Sequence, residues 1–225
     1  MDAAFYSRTS MTRAEADEHD RTTSALARAT AALADAQLRT EVAPAELTAV
    51  TEEIEALTAR LLTAAKEGAL GTLLGPGEDE VRNHGNAVMG LRNPFASVQP
   101  GDRTVGEDRH VRYEITLGAL YEGPPGLVHG GVCALVLDQL LGESAAVGGG
   151  PGMTGRLTLH YRRPTPLGPL SLEGWLDSTD GRKTVARGEI RDPDGNVTVE
   201  AEGLFILPRW ATDHPEWKRR EHTFE

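Results

Sequence analysis

The chain has 225 residues, enough for one domain with an extension or for two small domains, because a domain commonly takes about 100 to 200 residues. Its composition, 39% hydrophobic and 25% charged, is typical of folded globular proteins and excludes a wholly disordered chain. The formal net charge of -11 opposes approach to a nucleic-acid backbone or an anionic membrane surface. We therefore expect a globular protein that does not bind nucleic acid.

Cysteine content and hydropathy indicate the compartment. Cys133 is the sole cysteine of the sequence, so neither an intrachain disulfide nor a cysteine-based zinc cluster can form. No stretch reaches the roughly 18 uninterrupted apolar residues of a membrane-spanning helix, and the N-terminus lacks the apolar run of a signal peptide. We expect a cytoplasmic protein without membrane insertion.

The N-terminal third has the composition of helices. No glycine precedes Gly68, and Pro44 is the one proline before it, placed to end one helix and begin the next. Apolar residues at spacings of three and four predict helices over Thr12–Thr40 and Pro44–Glu67. We expect residues 1–67 to form a helical hairpin, which serves either as a packing or oligomerisation element or as a partner-binding helix or regulatory lid.

The next segment, residues 68–108, is rich in glycine, proline and asparagine and has no hydrophobic periodicity. It predicts a linker or a long ordered loop, in which His84 has no expected role. The last segment, residues 208–225, is a charged tail whose Trp210 and Trp217 we expect to pack on the body of the protein.

Between these segments, residues 109–207 alternate apolar and polar side chains in the way of half-buried strands. Asp180-Gly181 and Pro193-Asp194-Gly195 mark tight turns, so the last three strands form an antiparallel meander. The order of one strand, one helix and several strands predicts an α+β domain with the helix on one face of the sheet. The strands are predicted near residues 111–117, 156–161, 170–177, 183–191 and 197–207.

The helical segment Val128–Val147 contains most of the residues that could have a chemical function. It is apolar on all sides, which predicts a buried helix, yet it contains Asp138. A buried carboxylate needs hydrogen-bond partners, a raised pKa or a catalytic task, and the sequence leaves a structural and a functional role open. Gly130-Gly131 before the apolar run either allows close packing or exposes N–H groups that could hold an oxyanion. His129 could be a base, a donor or an ordinary loop residue.

Several spaced elements together resemble one family. They are the string from Tyr121 to Gly131 (YEGPPGLVHGG), Asp138 nine residues after His129, Thr154 and the strand end Tyr161-Arg162-Arg163-Pro164. This pattern is similar to the hotdog-fold acyl-CoA thioesterases of the PaaI-like and THEM4-like group, over about residues 109–207. The resemblance implies a hotdog fold, an antiparallel sheet wrapped around one central helix.

The resemblance also implies a role for each matching residue. Asp138 matches the catalytic carboxylate, as nucleophile or general base, and Gly130 matches the residue whose N–H polarises the thioester carbonyl. His129 matches the motif histidine that helps to position the carbonyl, and Thr154 matches a residue that orients the carboxylate or water. The family pairs two subunits, so we expect a homodimer, or a tetramer of two such dimers, with shared sites in which Asp138 faces Gly130 of the partner chain.

Thioester hydrolysis needs one carboxylate and one oxyanion donor, so we expect neither a metal nor a cofactor, with coenzyme A entering as part of the substrate. Two alternatives stay open: an acyl-CoA-binding sensor or carrier without turnover, and a dehydratase or hydratase of 3-hydroxyacyl thioesters. A Cys133–His129 nucleophile is disfavoured because the thiol lies in an apolar run. Four basic residues could pair the phosphates of coenzyme A: Arg162, Arg163, Arg182 and Lys183.

Overall fold

The computed structural model describes residues 6–68, 70–77, 81–149 and 152–209, and the following elements lie within these ranges. The helices are α1 (Arg13–Arg39), α2 (Pro44–Leu62) and α3 (Gly130–Gly149), with a short 3-10 helix at Ala119–Tyr121. The strands are β1 (Tyr6–Arg8), β2 (Thr72–Leu74), β3 (Val81–Arg82), β4 (Arg103–Val105), β5 (Val111–Leu117), β6 (Met153–Tyr161), β7 (Gly168–Asp180), β8 (Lys183–Arg191) and β9 (Val197–Ile206).

The body of the molecule is an antiparallel sheet with strand order β4-β5-β7-β8-β9-β6, and α3 lies across one of its faces. Alternate residues of β5 are buried and face α3, as their period of two predicted. The core between sheet and helix contains Val111, Tyr113, Ile115, Leu117, Val136, Leu137, Leu140, Leu141, Leu170, Leu172, Ile190, Val199 and Phe205. This arrangement confirms the predicted α+β fold.

The turns that join the last three strands also follow the prediction. Gly181 and Gly195 have φ angles of 55° and 81°, in the left-handed region that glycine enters without strain. β7, β8 and β9 therefore form the expected meander, and the strand that follows α3, β6, pairs with β9 at the edge of the sheet.

Three short strands occur in the segment that was predicted to be a linker or a long ordered loop, and this prediction is wrong for the residues of those strands. β2 pairs with β1 and β3 in a small separate sheet, while β4 pairs with β5 and extends the main sheet. Strands of two or three residues are too short to show an alternating pattern, so periodicity could not reveal them. The boundaries of the domains themselves stay a prediction.

His84, which had no predicted role, anchors α1 to the body. Its Nε2 lies 2.8 Å from an Asp20 oxygen, and the buried Arg82 pairs with Asp17 and Asp20 of the same helix. Arg82 also donates to the backbone carbonyl of Ala16, which is itself buried. These contacts join segments more than 60 residues apart, and sequence spacing does not show them.

Both N-terminal helices form, with α2 ending at Leu62 instead of the predicted Glu67, but they do not pack along each other as a hairpin. α1 begins with a capping box between Thr12 and Glu15 and lies against the 3-10 helix that precedes the His129 loop. α2 has no buried residue among those described. Its apolar stripe is exposed at Leu47, Leu57, Leu61 and Leu62.

Segment Gly130–Val147 of α3 is long and apolar enough to cross a membrane by length and composition, and the fold gives it another role. The helix packs on β5, β7, β8 and β9, and Leu137, Leu140 and Leu141 are fully buried there. It is the core helix of the sheet. Trp210 and Trp217 lie outside the described residues.

Candidate active site

Asp138 lies on the side of α3 that the sheet leaves partly open. The prediction that α3 is buried on all sides is wrong here, because Asp138 is half-buried and Leu135, one turn before it, is 42% exposed. The hydroxyl of Thr154 at the start of β6 donates to Asp138 Oδ1 at 2.9 Å. The structure thus joins two residues 16 positions apart that the family resemblance selected, and the second carboxylate oxygen has a path to solvent.

The first turn of α3 is held by the side chain before it. The N–H of Gly131 donates to Nδ1 of His129 at 3.0 Å, and the His129 carbonyl accepts from Val132 and Cys133. Since Nδ1 is the acceptor, a neutral His129 ring carries its proton on Nε2. The imidazole therefore offers an N–H donor on the face away from the helix.

Gly130 supplies the free donor of this turn. Its N–H has no acceptor among the residues that the structure describes, as expected for the first residue of a helix, where the dipole is positive. Its carbonyl accepts from the hydroxyl of Tyr161 at 2.8 Å. The arrangement can hold a developing negative charge at Gly130.

Side chains of the site pack closely against both glycines. A Cβ on Gly130 would lie 3.3 Å from the Tyr161 hydroxyl, and one on Gly131 would lie 3.1 Å from His129 Nδ1. Both interpretations of Gly130-Gly131 therefore apply, because the glycines allow close packing and Gly130 also has an open N–H group. The side chains that pack closely on them are Tyr161 of β6 and His129.

An open cavity of about 400 Å³ lies beside this turn. Its wall contains Gly130, Tyr161, Arg162 and Arg163, together with residues of the 124–128 loop. The loop is held by the N–H of Gly126, which donates to Glu122 at 2.6 Å. The cavity has room for part of a ligand and combines an N–H donor with positive charge.

The four basic residues predicted to bind phosphate lie at two separate places. Arg162 and Arg163 follow the end of β6 beside Gly130, and Arg162 also pairs with Glu200 at 2.8 Å. Arg182 and Lys183 lie at the β7–β8 turn, level with the start of β6 where Thr154 lies. One chain does not bring the two pairs together.

Asp138 and Gly130 are likewise apart within one chain. They are eight positions apart on the helix, which is about 12 Å at 1.5 Å per residue. β6 runs in the opposite direction to α3, so that Thr154 is bonded at the Asp138 end and Tyr161 at the Gly130 end. Each chain therefore presents two half-sites along its exposed edge.

Cys133 is an inert thiol in this setting. It is 1% exposed, and burial raises the pKa of its thiol, which disfavours the reactive thiolate. Its sulfur lies 3.8 Å from the Thr165 hydroxyl, while Nδ1 of His129 is engaged by Gly131. These contacts support the view that Cys133 and His129 do not form a nucleophile pair.

Sequence reasoning missed Tyr161 as a site residue. In the alternating pattern of β6, Tyr161 is grouped with the apolar Leu157 and Leu159, yet its side chain is 56% exposed and reaches Gly130. A strand pattern assigns a face to a residue and does not show which backbone atom its side chain contacts. The sequence feature that could have indicated a functional role for Tyr161 was its position directly before Arg162 and Arg163.

Two groups of side chains in the described residues have the geometry to offer metal ligands. They are His19, Asp20 and His84, and Asp108, His110 and Glu173. In each group an arginine already pairs with the carboxylates, Arg82 in the first and Arg112 in the second. A cation beside a guanidinium group is unfavourable, so both groups fit ion-pair networks better than metal centres.

Comparisons with known proteins show what the chain is similar to. A family model described as the thioesterase superfamily matches residues 125–199. Acyl-coenzyme A thioesterase THEM4 of Xenopus laevis is 37% identical over 91 residues, 40% of this chain and 41% of that protein. The protein of the same name from Bos taurus is 37% identical over 91 residues, 37% of its length. The chain thus spans about two fifths of the length of the curated relatives it matches.

A solved structure matches over nearly its whole length. The crystal structure of the thioesterase superfamily protein RHA08564 is 39% identical, with a TM-score of 0.69, covering 90% of this chain and 98% of that one. Such coverage exceeds what residues 68–225 could supply, so the likeness includes part of the N-terminal extension. The chain therefore belongs to the thioesterase superfamily, and its sheet wrapped around α3 is the hotdog fold that the motifs predicted.

Proposed function

We propose that this protein hydrolyses an acyl-CoA thioester to a free acid and coenzyme A. The observation that carries the proposal is the Asp138 carboxylate, half-open to solvent and held by Thr154 at 2.9 Å, in a superfamily fold that also presents a free Gly130 N–H. The two curated relatives are named as acyl-coenzyme A thioesterases, which supports this substrate class.

The chemistry requires few groups because a thioester is already an activated acyl group. Asp138 either attacks the carbonyl carbon, giving an anhydride that water hydrolyses after the CoA thiolate leaves, or removes a proton from an attacking water. In both routes negative charge develops on the carbonyl oxygen, and the Gly130 N–H and the Nε2–H of His129 can donate to it. CoA leaves as the thiol after it takes up a proton.

The two half-sites become one site in a homodimer. β6 is an edge strand with an exposed face, so two copies can pair their β6 strands antiparallel about a two-fold axis. An axis between Leu157 and Thr158 would place Thr154 of one chain opposite Tyr161 of the other. Asp138 of each chain would then lie next to Gly130 of the partner.

The same pairing supports a role for the basic residues in binding coenzyme A phosphates. Arg182 and Lys183 of one chain lie two strands from the start of β6, about 10 Å away by strand spacing. In the dimer this end of β6 meets the other chain's strand end, where Arg162 and Arg163 lie. We propose that both pairs contribute to each shared site.

Binding of acyl-CoA without turnover is the second candidate, and the exposed stripe of α2 favours it because a sensor needs a surface for a partner. The Asp138–Thr154 pair favours hydrolysis, since a pure binder has no use for an open carboxylate. A hydratase remains a third outcome that the assay below detects.

The test is to incubate the protein with short, medium, long and aromatic acyl-CoAs, and with an enoyl-CoA, at matched concentrations. Hydrolysis releases CoA thiol, hydration removes the enoyl absorbance without releasing thiol, and a sensor gives a calorimetric binding signal with neither. We expect thiol release. Binding alone would replace the enzyme by a sensor, and loss of enoyl absorbance alone would replace it by a hydratase.

A further inference from the structure

Tyr161 contacts Gly130, the residue whose N–H is the proposed donor to the substrate carbonyl. Its hydroxyl donates to the carbonyl oxygen of Gly130 at 2.8 Å, and a Cβ on Gly130 would lie 3.3 Å from that hydroxyl and 3.4 Å from the ring. Partial desolvation of the ring raises the pKa of its phenol above the ordinary value of about 10, so the hydroxyl keeps its proton at neutral pH and stays a donor.

The peptide that joins Gly130 to Gly131 is held at both ends. Its carbonyl accepts from Tyr161 at 2.8 Å, and its N–H donates to His129 Nδ1 at 3.0 Å. Because a peptide unit is planar, two bonds to its opposite ends prevent it from rotating. Tyr161 and His129 thus form a clamp on this peptide, which we call the Gly130 clamp.

The neighbouring peptide carries the free donor. Its carbonyl belongs to His129 and accepts from Val132 at 2.8 Å and Cys133 at 3.2 Å, while its N–H is that of Gly130. The angle between the two peptides is set by the φ and ψ of Gly130, and glycine has the widest freedom in both. The Gly130 clamp restricts both angles, because it fixes the peptide that follows Gly130.

We propose that Tyr161 is a positioning residue for thioester hydrolysis, which keeps the Gly130 N–H directed at the carbonyl oxygen of the substrate. The proposal rests on the proposed function. Tyr161 transfers no proton in it, because its hydrogen is already donated to Gly130. A donor that is held before the reaction stabilises developing charge without the cost of reorganisation.

The first test compares Tyr161→Phe with Tyr121→Phe. Both changes delete a tyrosine hydroxyl that donates to a backbone carbonyl at 2.8 Å, but the Tyr121 hydroxyl bonds Phe95, and neither Tyr121 nor Phe95 lines the cavity. We expect Tyr161→Phe to lower kcat about 10-fold with KM changed less than about 2-fold, and Tyr121→Phe to change neither. The shape of the pH–rate profile should be unchanged in Tyr161→Phe.

An unchanged kcat, or a higher KM with unchanged kcat, would overturn the positioning role. Loss of the alkaline limb of the pH–rate profile in Tyr161→Phe would also overturn it, because Tyr161 would then be an acid.

A second readout does not depend on turnover. Backbone 15N relaxation should give Gly130 and Gly131 order parameters near the rigid value of about 0.85 in the wild type and clearly lower ones in Tyr161→Phe. If no acyl-CoA releases thiol with the wild type, the proposed function fails, and this measurement still decides the clamp. Equal order parameters in the two proteins would refute it.

Discussion

At the scale of single residues, the account depends on how Asp138 is held. Thr154 binds one carboxylate oxygen at 2.9 Å and so fixes the direction of the other, the one that must reach the substrate or water. Thr154→Val keeps the shape and removes the hydroxyl, and we expect kcat for thiol release to fall about 10-fold or more. Thr154→Ser keeps the hydroxyl and should retain most of the activity. Equal kcat values for the valine variant and the wild type would remove Thr154 from the site.

The cysteine gives a prediction with a defined sign. Because burial raises the pKa of Cys133, less thiolate is present at a given pH than for a free cysteine, whose pKa is about 8.5. The folded protein should therefore react much more slowly with Ellman's reagent at pH 8 than the protein unfolded in guanidinium. Cys133→Ala should keep thioesterase activity. Fast labelling of the folded protein, with loss of activity, would restore Cys133 as a candidate nucleophile.

Several site residues could be predicted from sequence because their motif fixes their relative position. The nine residues from His129 to Asp138 lie on one helix and its cap, so the motif carries its own geometry. Tyr161 could not be found in this way, because its contact with Gly130 depends on how β6 lies against α3. The separation of Arg162 from Lys183 depends in the same way on strand register.

At the scale of elements, the two N-terminal helices could be predicted, and what they pack against could not. The apolar stripe of α2 has the same spacing as a buried stripe, yet Leu57 is 51% exposed while Leu140 of α3 is fully buried. Hydrophobic periodicity identifies the apolar face of a helix, but it does not show which part of the protein covers that face. The ion pairs that anchor α1 join Asp20 to Arg82 and His84, and such distant contacts have no signature in local sequence.

The difference in burial between α2 and α3 can be measured by replacing one leucine of each helix with alanine. Leu140→Ala creates a cavity in the core and should lower the free energy of unfolding by about 2 to 5 kcal/mol. Leu57→Ala removes an exposed side chain and should change it by less than about 0.5 kcal/mol. Urea unfolding curves give both values. A loss above about 1 kcal/mol for Leu57→Ala would mean that another surface covers α2 in the assembled protein.

At the scale of the whole molecule, the proposed dimer predicts complementation between two inactive chains. One chain carries Asp138→Asn, and the other carries Gly130→Pro, which lacks the N–H and whose side chain also presses on Tyr161, so that the whole Gly130 half-site of that chain is lost while the first position of a helix still accepts proline. A mixed dimer has one intact site, made from Asp138 of the proline chain and Gly130 of the asparagine chain. We expect coexpressed chains to regain about one quarter of the wild-type activity, since half of the randomly paired dimers are mixed, with one of two sites intact.

The controls for complementation are each variant expressed by itself, checked for folding by circular dichroism. Neither should show more than residual thiol release. If the coexpressed pair stays inactive although both chains fold and associate, the site lies within one chain and the shared arrangement is wrong.

The measurement that tests the account most directly is the rate of CoA thiol release by wild type, Asp138→Asn and Asp194→Asn. Asp194 is an exposed carboxylate in the β8–β9 turn, so its substitution is a matched control for the loss of one charge. We predict a fall in kcat of about 100-fold or more for Asp138→Asn, the scale expected for a lost acid, base or nucleophile, and no change for Asp194→Asn. Equal rates for all three proteins would contradict the assignment of Asp138 as the catalytic carboxylate.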